Sequence, residues 1–257
     1  MRYGINVAIL GGLAEPGRVI EFAQEAERAG WEAMFVWDHL AFAWGVPSAD
    51  PFVVLAGAAR ATSRIRLGTA VTPIARHRPE QLAQTVATLD RLSGGRVVLG
   101  AGLGGVQAEF TAFGTPYPSG AQFDEALDVL GALLAGEEVR HAGAHYAIDG
   151  VRLAPLPVQR PRVPIWIGGT SPAAVRRAER WDGWIIAGDG EDGGMTMTPD
   201  RVPGHSGCLA LIGTSDPGQS LAAYAEAGVD WWLEHLHERR MDHDALLARI
   251  RSGPGQP

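Results

Sequence analysis

Cysteine is nearly missing: Cys208 stands alone among 257 residues, so no intramolecular disulfide can form. It lies in an apolar run, where a thiol reads as buried and inert, and a reducing, cytoplasmic compartment is compatible with that. No stretch approaches the roughly 18 uninterrupted apolar residues of a membrane-spanning helix. The opening "MRYGINVAILGG" lacks the layout of a signal peptide and reads as a first strand. Concentrated positive charge is missing too, because the 22 basic residues are scattered and the formal charge is a mild −7. Nothing therefore marks a nucleic-acid or anionic-membrane partner, and a small-molecule partner is expected.

The motifs that would fix other chemistries are equally scarce. There is no G-x-S-x-G and no P-loop to suggest acyl or phosphoryl transfer. Of the eight histidines, His141 and His145 are separated by turn-forming Gly143, which argues against one helical face. His235 and His237 would share one face of a strand end, yet no cysteine or carboxylate pattern completes a ligand set, so no metal is expected.

What is present is rhythm, in a chain whose 46% hydrophobic content suffices for a substantial core. Short apolar runs at Tyr3 to Leu10, Ala33 to Trp37, Leu67 to Val71 and Val97 to Gly100 alternate with helical patterns opened by Pro16, Pro51 and Pro79. Two further helical patterns lie near 106 to 113 and 123 to 134, followed by a proline-rich loop or hairpin around "HYAIDGVRLAPLPVQRPRVP". The rhythm resumes with strands at Ile165 to Gly168, Trp184 to Ala187, Cys208 to Ile212 and Val229 to Leu233. Helices are expected over Pro172 to Trp181, after Pro217 and from Asp244 to Ile250. Eight strands joined by helices across roughly 250 residues match a (β/α)8 barrel occupying residues 1 to 257 as one domain. A doubly wound open sheet is the alternative, though it more often uses fewer strands.

"VVLGAGLGGV" puts Gly100, Gly102 and Gly105 at G-x-G-x-x-G spacing, with Asp124 and Glu125 about twenty positions on. This dinucleotide signature falls in the fourth strand-helix unit, whereas it normally opens its fold; in a barrel such a strand end lets a ligand approach the backbone. In a barrel the residues that follow the strands converge on one mouth. Asp38 and His39 follow strand two, Thr72 strand three, Gly102 and Glu109 strand four, Gly169 and Thr170 strand five, and Gly188 and Asp189 strand six. A histidine beside a carboxylate is suited to proton transfer near neutrality, although a solvated turn would read the same way. "IWIGGTSPAAVRRA" offers either an anion site at a helix start or a plain glycine-rich turn.

Three segments, "RIRLGTAVTPIARHRPEQLAQTVATLDRLSGGRVVLGAGLGG", "LAPLPVQRPRVPIWIGGTSP" and "AYAEAGVD", resemble the bacterial-luciferase-like oxidoreductases. Those enzymes use FMN or the deazaflavin coenzyme F420 and fold as (β/α)8 barrels. The resemblance covers residues 3 to 188 and 208 to 235 and favours the F420 branch. It implies that His39 and Trp44 flank the reactive deazaflavin carbon, that Glu109 completes the catalytic set, and that Asp38 contacts the cofactor. It also implies a non-prolyl cis peptide at Ala70-Val71, next to Thr72, backing the ring system, and a cofactor phosphate held by Gly168, Gly169 and Thr170, with Gly102 nearby. A homodimer is expected on the same ground.

The chain departs from the family pattern at 188 to 207, which is glycine-rich, aperiodic and short where members carry a helix and often a longer insertion. Three functions follow: an F420-dependent oxidoreductase that moves a hydride to or from a small organic substrate, an FMN-dependent monooxygenase, or a non-catalytic cofactor-binding homologue. The geometric expectation is that His39, Trp44 and Glu109 line one pocket at the C-terminal ends of the strands.

Overall fold

A computed structural model describes residues 1–190 and 194–255. Eight parallel barrel strands run in chain order: β1 (Arg2–Val7), β2 (Ala33–Val36), β3 (Arg66–Thr69), β4 (Val97–Gly102), β5 (Ile165–Gly168), β6 (Gly183–Ala187), β7 (Cys208–Gly213) and β8 (Trp231–Leu236). Pairing proceeds β3, β2, β1, β8, β7, β6, β5, β4 and closes from β4 back onto β3, so every edge is consumed. The (β/α)8 barrel is the architecture expected from the strand rhythm, and the open sheet is excluded.

The helices follow their sequence signals. α1 (Pro16–Ala29) has proline in its first turn, buries Val19, Phe22, Ala23 and Ala26, and stops at Gly30 with φ 89°. α2 (Pro51–Ala61) is capped by Asp50, whose carboxylate accepts from the Val53 N–H at 2.9 Å. α3 (Pro79–Ser93), α4 (Gly120–Ala135), α5 (Pro172–Ala178), α6 (Ala222–Glu226) and α7 (His243–Arg251) complete the outer ring. Most core side chains lie between this ring and the strands. A smaller cluster that includes Phe35, Val98, Trp166, Ile185, Trp231 and Leu233 packs as a second apolar unit and fills the barrel interior. Among the described residues no helix is long and apolar enough to cross a membrane.

Four details differ from the pattern read in the sequence. Strand three does not run through to Val71; β3 ends at Thr69, and pairing resumes only at Thr72–Pro73, beside Ala101 and Gly102. The peptide between them, Ala70-Val71, is cis, as the resemblance implied. The helical pattern near 106 to 113 shrinks to one turn, Ala108–Thr111, whereas the hairpin allowed for after α4 is present, Val139–Ala142 with Ala147–Val151, ahead of the prolines. Pro217 does not open α6, because Gly218 follows it in a left-handed conformation (φ 80°) that no helical turn can continue. Between β6 and β7 the described residues hold a 3-10 turn at Pro199–Arg201 and an isolated bridge between Asp189 and Met195; residues 191 to 193 of that aperiodic segment lie outside the described residues.

The last difference bears most on the site. β8 begins and ends later than the apolar run suggests, so His235 lies within it and His237 just beyond its end. Val7 pairs with both Val36 of β2 and Leu236 of β8, so Trp37, His39, His235 and His237 arrive at the same rim.

Candidate active site

Glu109 organises the first half of the mouth. Its Oε1 meets His39 Nδ1 at 2.9 Å and accepts the Leu40 N–H at 2.9 Å, while its Oε2 accepts from Arg76 Nη1 at 2.7 Å. The other amino group of Arg76 donates to Asp38 Oδ1. Asp38 Oδ2 in turn lies 3.5 Å from His77 Nε2. Asp38 and Glu109 are 3% and 2% exposed, so a guanidinium that binds both bridges two carboxylates buried side by side and offsets one of their two charges. A carboxylate only accepts, which makes His39 Nδ1 the donor and leaves Nε2 of the neutral ring with its lone pair free. Trp44 stands edge-on to that ring at 5.3 Å, and Trp37 at 5.5 Å.

The sequence-derived trio is thus assembled, but it does not line one pocket. The mouth holds a cavity of about 630 Å³ whose apolar wall includes Trp37, Trp44, Leu10 and Val46. Of the three, only Trp44 lines it. Glu109 is drawn away by Arg76 and the Leu40 amide, and His39 is drawn with it.

Around the barrel, Ala70 is nearly buried and donates its N–H to Val36 O at 2.9 Å; Thr72 is fully buried, with no partner for its hydroxyl among the described residues. Val71 is half-buried and sits between Gly102 and Gly168, where a Cβ on either glycine would collide with its methyl groups. These glycines therefore make room for Val71, a different role from direct contact with a ligand. Gly169 is also committed within the protein: its N–H donates to Ile185 O at 3.2 Å and its carbonyl accepts Trp184 Nε1 at 2.6 Å. Thr170 is exposed, and the Ser171 hydroxyl is spent on capping α5 through Ala174 N at 3.2 Å.

Two further groups of residues stand at the mouth, and of them the sequence reading placed only Asp189 there. Arg76 is one; its signal was the run Arg76-His77-Arg78 just past strand three, where a barrel gathers its mouth residues. The other is on the opposite side of Trp37. His235 Nδ1 is hydrogen-bonded to Asp189 Oδ2, its ring lies 5.0 Å from Trp37 and 4.7 Å from His237, and all four residues line the cavity. The i, i+2 spacing of the two histidines was visible, but weighing it only as a metal motif hid it. Among the described residues no group of three histidine, cysteine or acidic side chains is arranged to hold a metal ion.

His237 is pushed down to about 4, first by burial and then by the neighbouring His235, Arg240 and Arg239, with Asp189 opposing. The unfolded ring, near 6.5, binds its proton first as pH falls, so folding stability is full above pH 6.5 and declines toward pH 4. Between pH 6.5 and 5 this ring should cost about 1–2 kcal/mol. Urea unfolding of the wild type and His237→Leu across that window measures it, and identical pH slopes would show that His237 carries no such linkage.

A family model described as luciferase-like monooxygenase matches residues 3–203. An F420-dependent glucose-6-phosphate dehydrogenase of Microbacterium testaceum is 32% identical over 246 residues, which is 92% of this chain and 68% of that protein. Its namesake in Beutenbergia cavernae is 38% identical over 183 residues, 66% of this chain, and the chain spans about half, 52%, of that relative's length. Among solved structures, an F420-dependent secondary alcohol dehydrogenase in complex with an F420-acetone adduct superposes with a TM-score of 0.77. It covers 97% of each chain at 18% identity, a likeness of fold.

Proposed function

This chain belongs to the luciferase-like monooxygenase family, and from that premise we propose that it is an oxidoreductase that moves a hydride between coenzyme F420 and a small organic substrate. The observation that carries the proposal is the buried set of Asp38, Arg76, Glu109 and His39 beside Trp44. Residues at the mouth fit the cofactor: Val71 offers a half-exposed aliphatic surface, while the Thr72 hydroxyl and the Trp44 indole N–H are buried without partners. Val71, Ala70, Thr72 and Asp38 would hold it, with Thr170 toward its phosphate. When bound, the deazaflavin ring supplies two-electron hydride chemistry.

The protein's own part is proton management. His39 Nε2 takes the proton released when a hydroxyl is oxidised, or returns it in the reverse direction. Glu109 stabilises the imidazolium that results, and Arg76 keeps Glu109 fixed in place. Trp44 and Trp37 exclude water. The family premise also carries the proposal that the protein is a cytoplasmic homodimer.

The family description favours one second reading, an FMN-dependent monooxygenase. Titrating the purified protein with each cofactor separates the two, and F420 should bind at least about tenfold more tightly, a difference near 1.4 kcal/mol. Tighter FMN binding together with oxygen consumption by the reduced flavin complex would overturn the F420 proposal. Cofactor binding without hydride exchange would point to a non-catalytic homologue.

A further inference from the structure

The wall of the cavity opposite His39 is chemically distinct. His235 and His237 are each 8% exposed, both line the cavity, and each carries a ring nitrogen with no partner among the described residues, Nε2 on His235 and Nδ1 on His237. Buried polar atoms are ordinarily satisfied, so two unpartnered nitrogens in one wall mark a place for a polar group of an occupant. We infer that His235 and His237 form a hydrogen-bonding subsite for an uncharged hydroxyl or carbonyl group, so that this cavity takes a neutral, largely apolar alcohol or ketone.

Charge supports the choice of a neutral group. The chain contains no lysine. Among the described residues of the cavity wall, the carboxylates of Asp189 and Glu238 face a single guanidinium, Arg239, which lies over the Trp44 ring at 5.2 Å. Glu238 accepts the Gly12 N–H at 2.6 Å and lies 3.7 Å from Arg18. Burial keeps the His237 ring neutral at pH 7. A phosphate dianion would thus meet two carboxylates and one partly committed cation, a poor match. The subsite anchors an oxygen of the occupant other than the one that gives its proton to His39, which does not line this wall. Asp189 engages His235 Nδ1 and leaves its Nε2 for the occupant, and an imidazole nitrogen accepts from a hydroxyl or donates to a carbonyl according to its tautomer, as His237 Nδ1 also can. The remaining wall of Trp37, Trp44, Leu10 and Val46 covers hydrocarbon.

This inference deepens the proposed function and rests on it for the reaction, but its test needs no cofactor. The F420-free protein, with nitrogen-15 in its histidines, is titrated with menthol, with p-menthane as the same skeleton lacking oxygen, and with inorganic phosphate. Long-range proton–nitrogen spectra should show the His235 and His237 ring resonances shifting saturably with menthol and remaining still with phosphate. His235→Leu should weaken menthol about five- to tenfold and leave p-menthane unchanged, as loss of one hydrogen bond requires. Unmoved rings under menthol, or rings that respond to phosphate more tightly than to menthol, would overturn the inference, and the wild-type spectra decide this even if the variant does not fold. Failure to bind F420, read separately from the cofactor's own absorbance, would remove the proposed reaction and leave these shifts in place.

Discussion

Replacing His39 with alanine should lower kcat by about 10²- to 10⁴-fold, the usual range for losing a positioned proton-transfer group. F420 affinity should stay within about tenfold, because the ring is held from the protein side: Glu109 on Nδ1 and the edge-on contact with Trp44. The measurement is the change in F420 absorbance with a substrate that supports turnover, alongside a direct cofactor titration. A kcat within threefold of the wild type would transfer the proton step to another group and end the assignment. Glu109→Gln is the informative companion. It keeps shape but removes the charge that offsets an imidazolium, and its amide nitrogen cannot accept from Arg76.

Arg76→Met should destabilise the fold by about 3–5 kcal/mol, the range seen when one member of a buried ion network is removed. The arginine, Asp38 and Glu109 side chains are 13%, 4% and 1% exposed, so solvent offers little screening to the two carboxylates left behind. Denaturant unfolding at pH 7 checks the loss. The distinguishing comparison is Arg76→Met combined with Asp38→Asn, which removes one of the stranded charges and should recover part of the stability. If the single variant unfolds with the wild-type midpoint, Arg76 is not the counter-charge that holds these carboxylates together.

The barrel was legible because its signals are local: a proline opens α1, α2, α3 and α5, a left-handed glycine closes α1 and α3, and apolar runs recur at strand-helix spacing. Boundaries that depend on a single residue were less legible, as with Gly218, which prevents the turn after Pro217 from becoming a helix. His39, Trp44 and Glu109 were found by resemblance, and the structure gathers them. What the sequence could not reveal was which way each side chain is pulled. The contest for Glu109 among Arg76, His39 and the Leu40 amide joins residues up to 70 positions apart. The His235 and Asp189 pair, 46 positions apart, is likewise visible only after the barrel closes.

The close fit of Val71 between Gly102 and Gly168 constrains how this mouth can diversify. A side chain at either glycine demands a smaller residue at 71, so the three positions can drift only as a set, although two lie at the ends of β4 and β5 and the third in the break after β3. The opposite wall is free of this coupling. Leu10, Val46 and Arg239 follow β1, β2 and β8, and none of them is among the atoms that crowd Gly102 or Gly168. Selection, or a designer, can therefore reshape the substrate side of the barrel one residue at a time while the floor beneath the proposed ring stays locked.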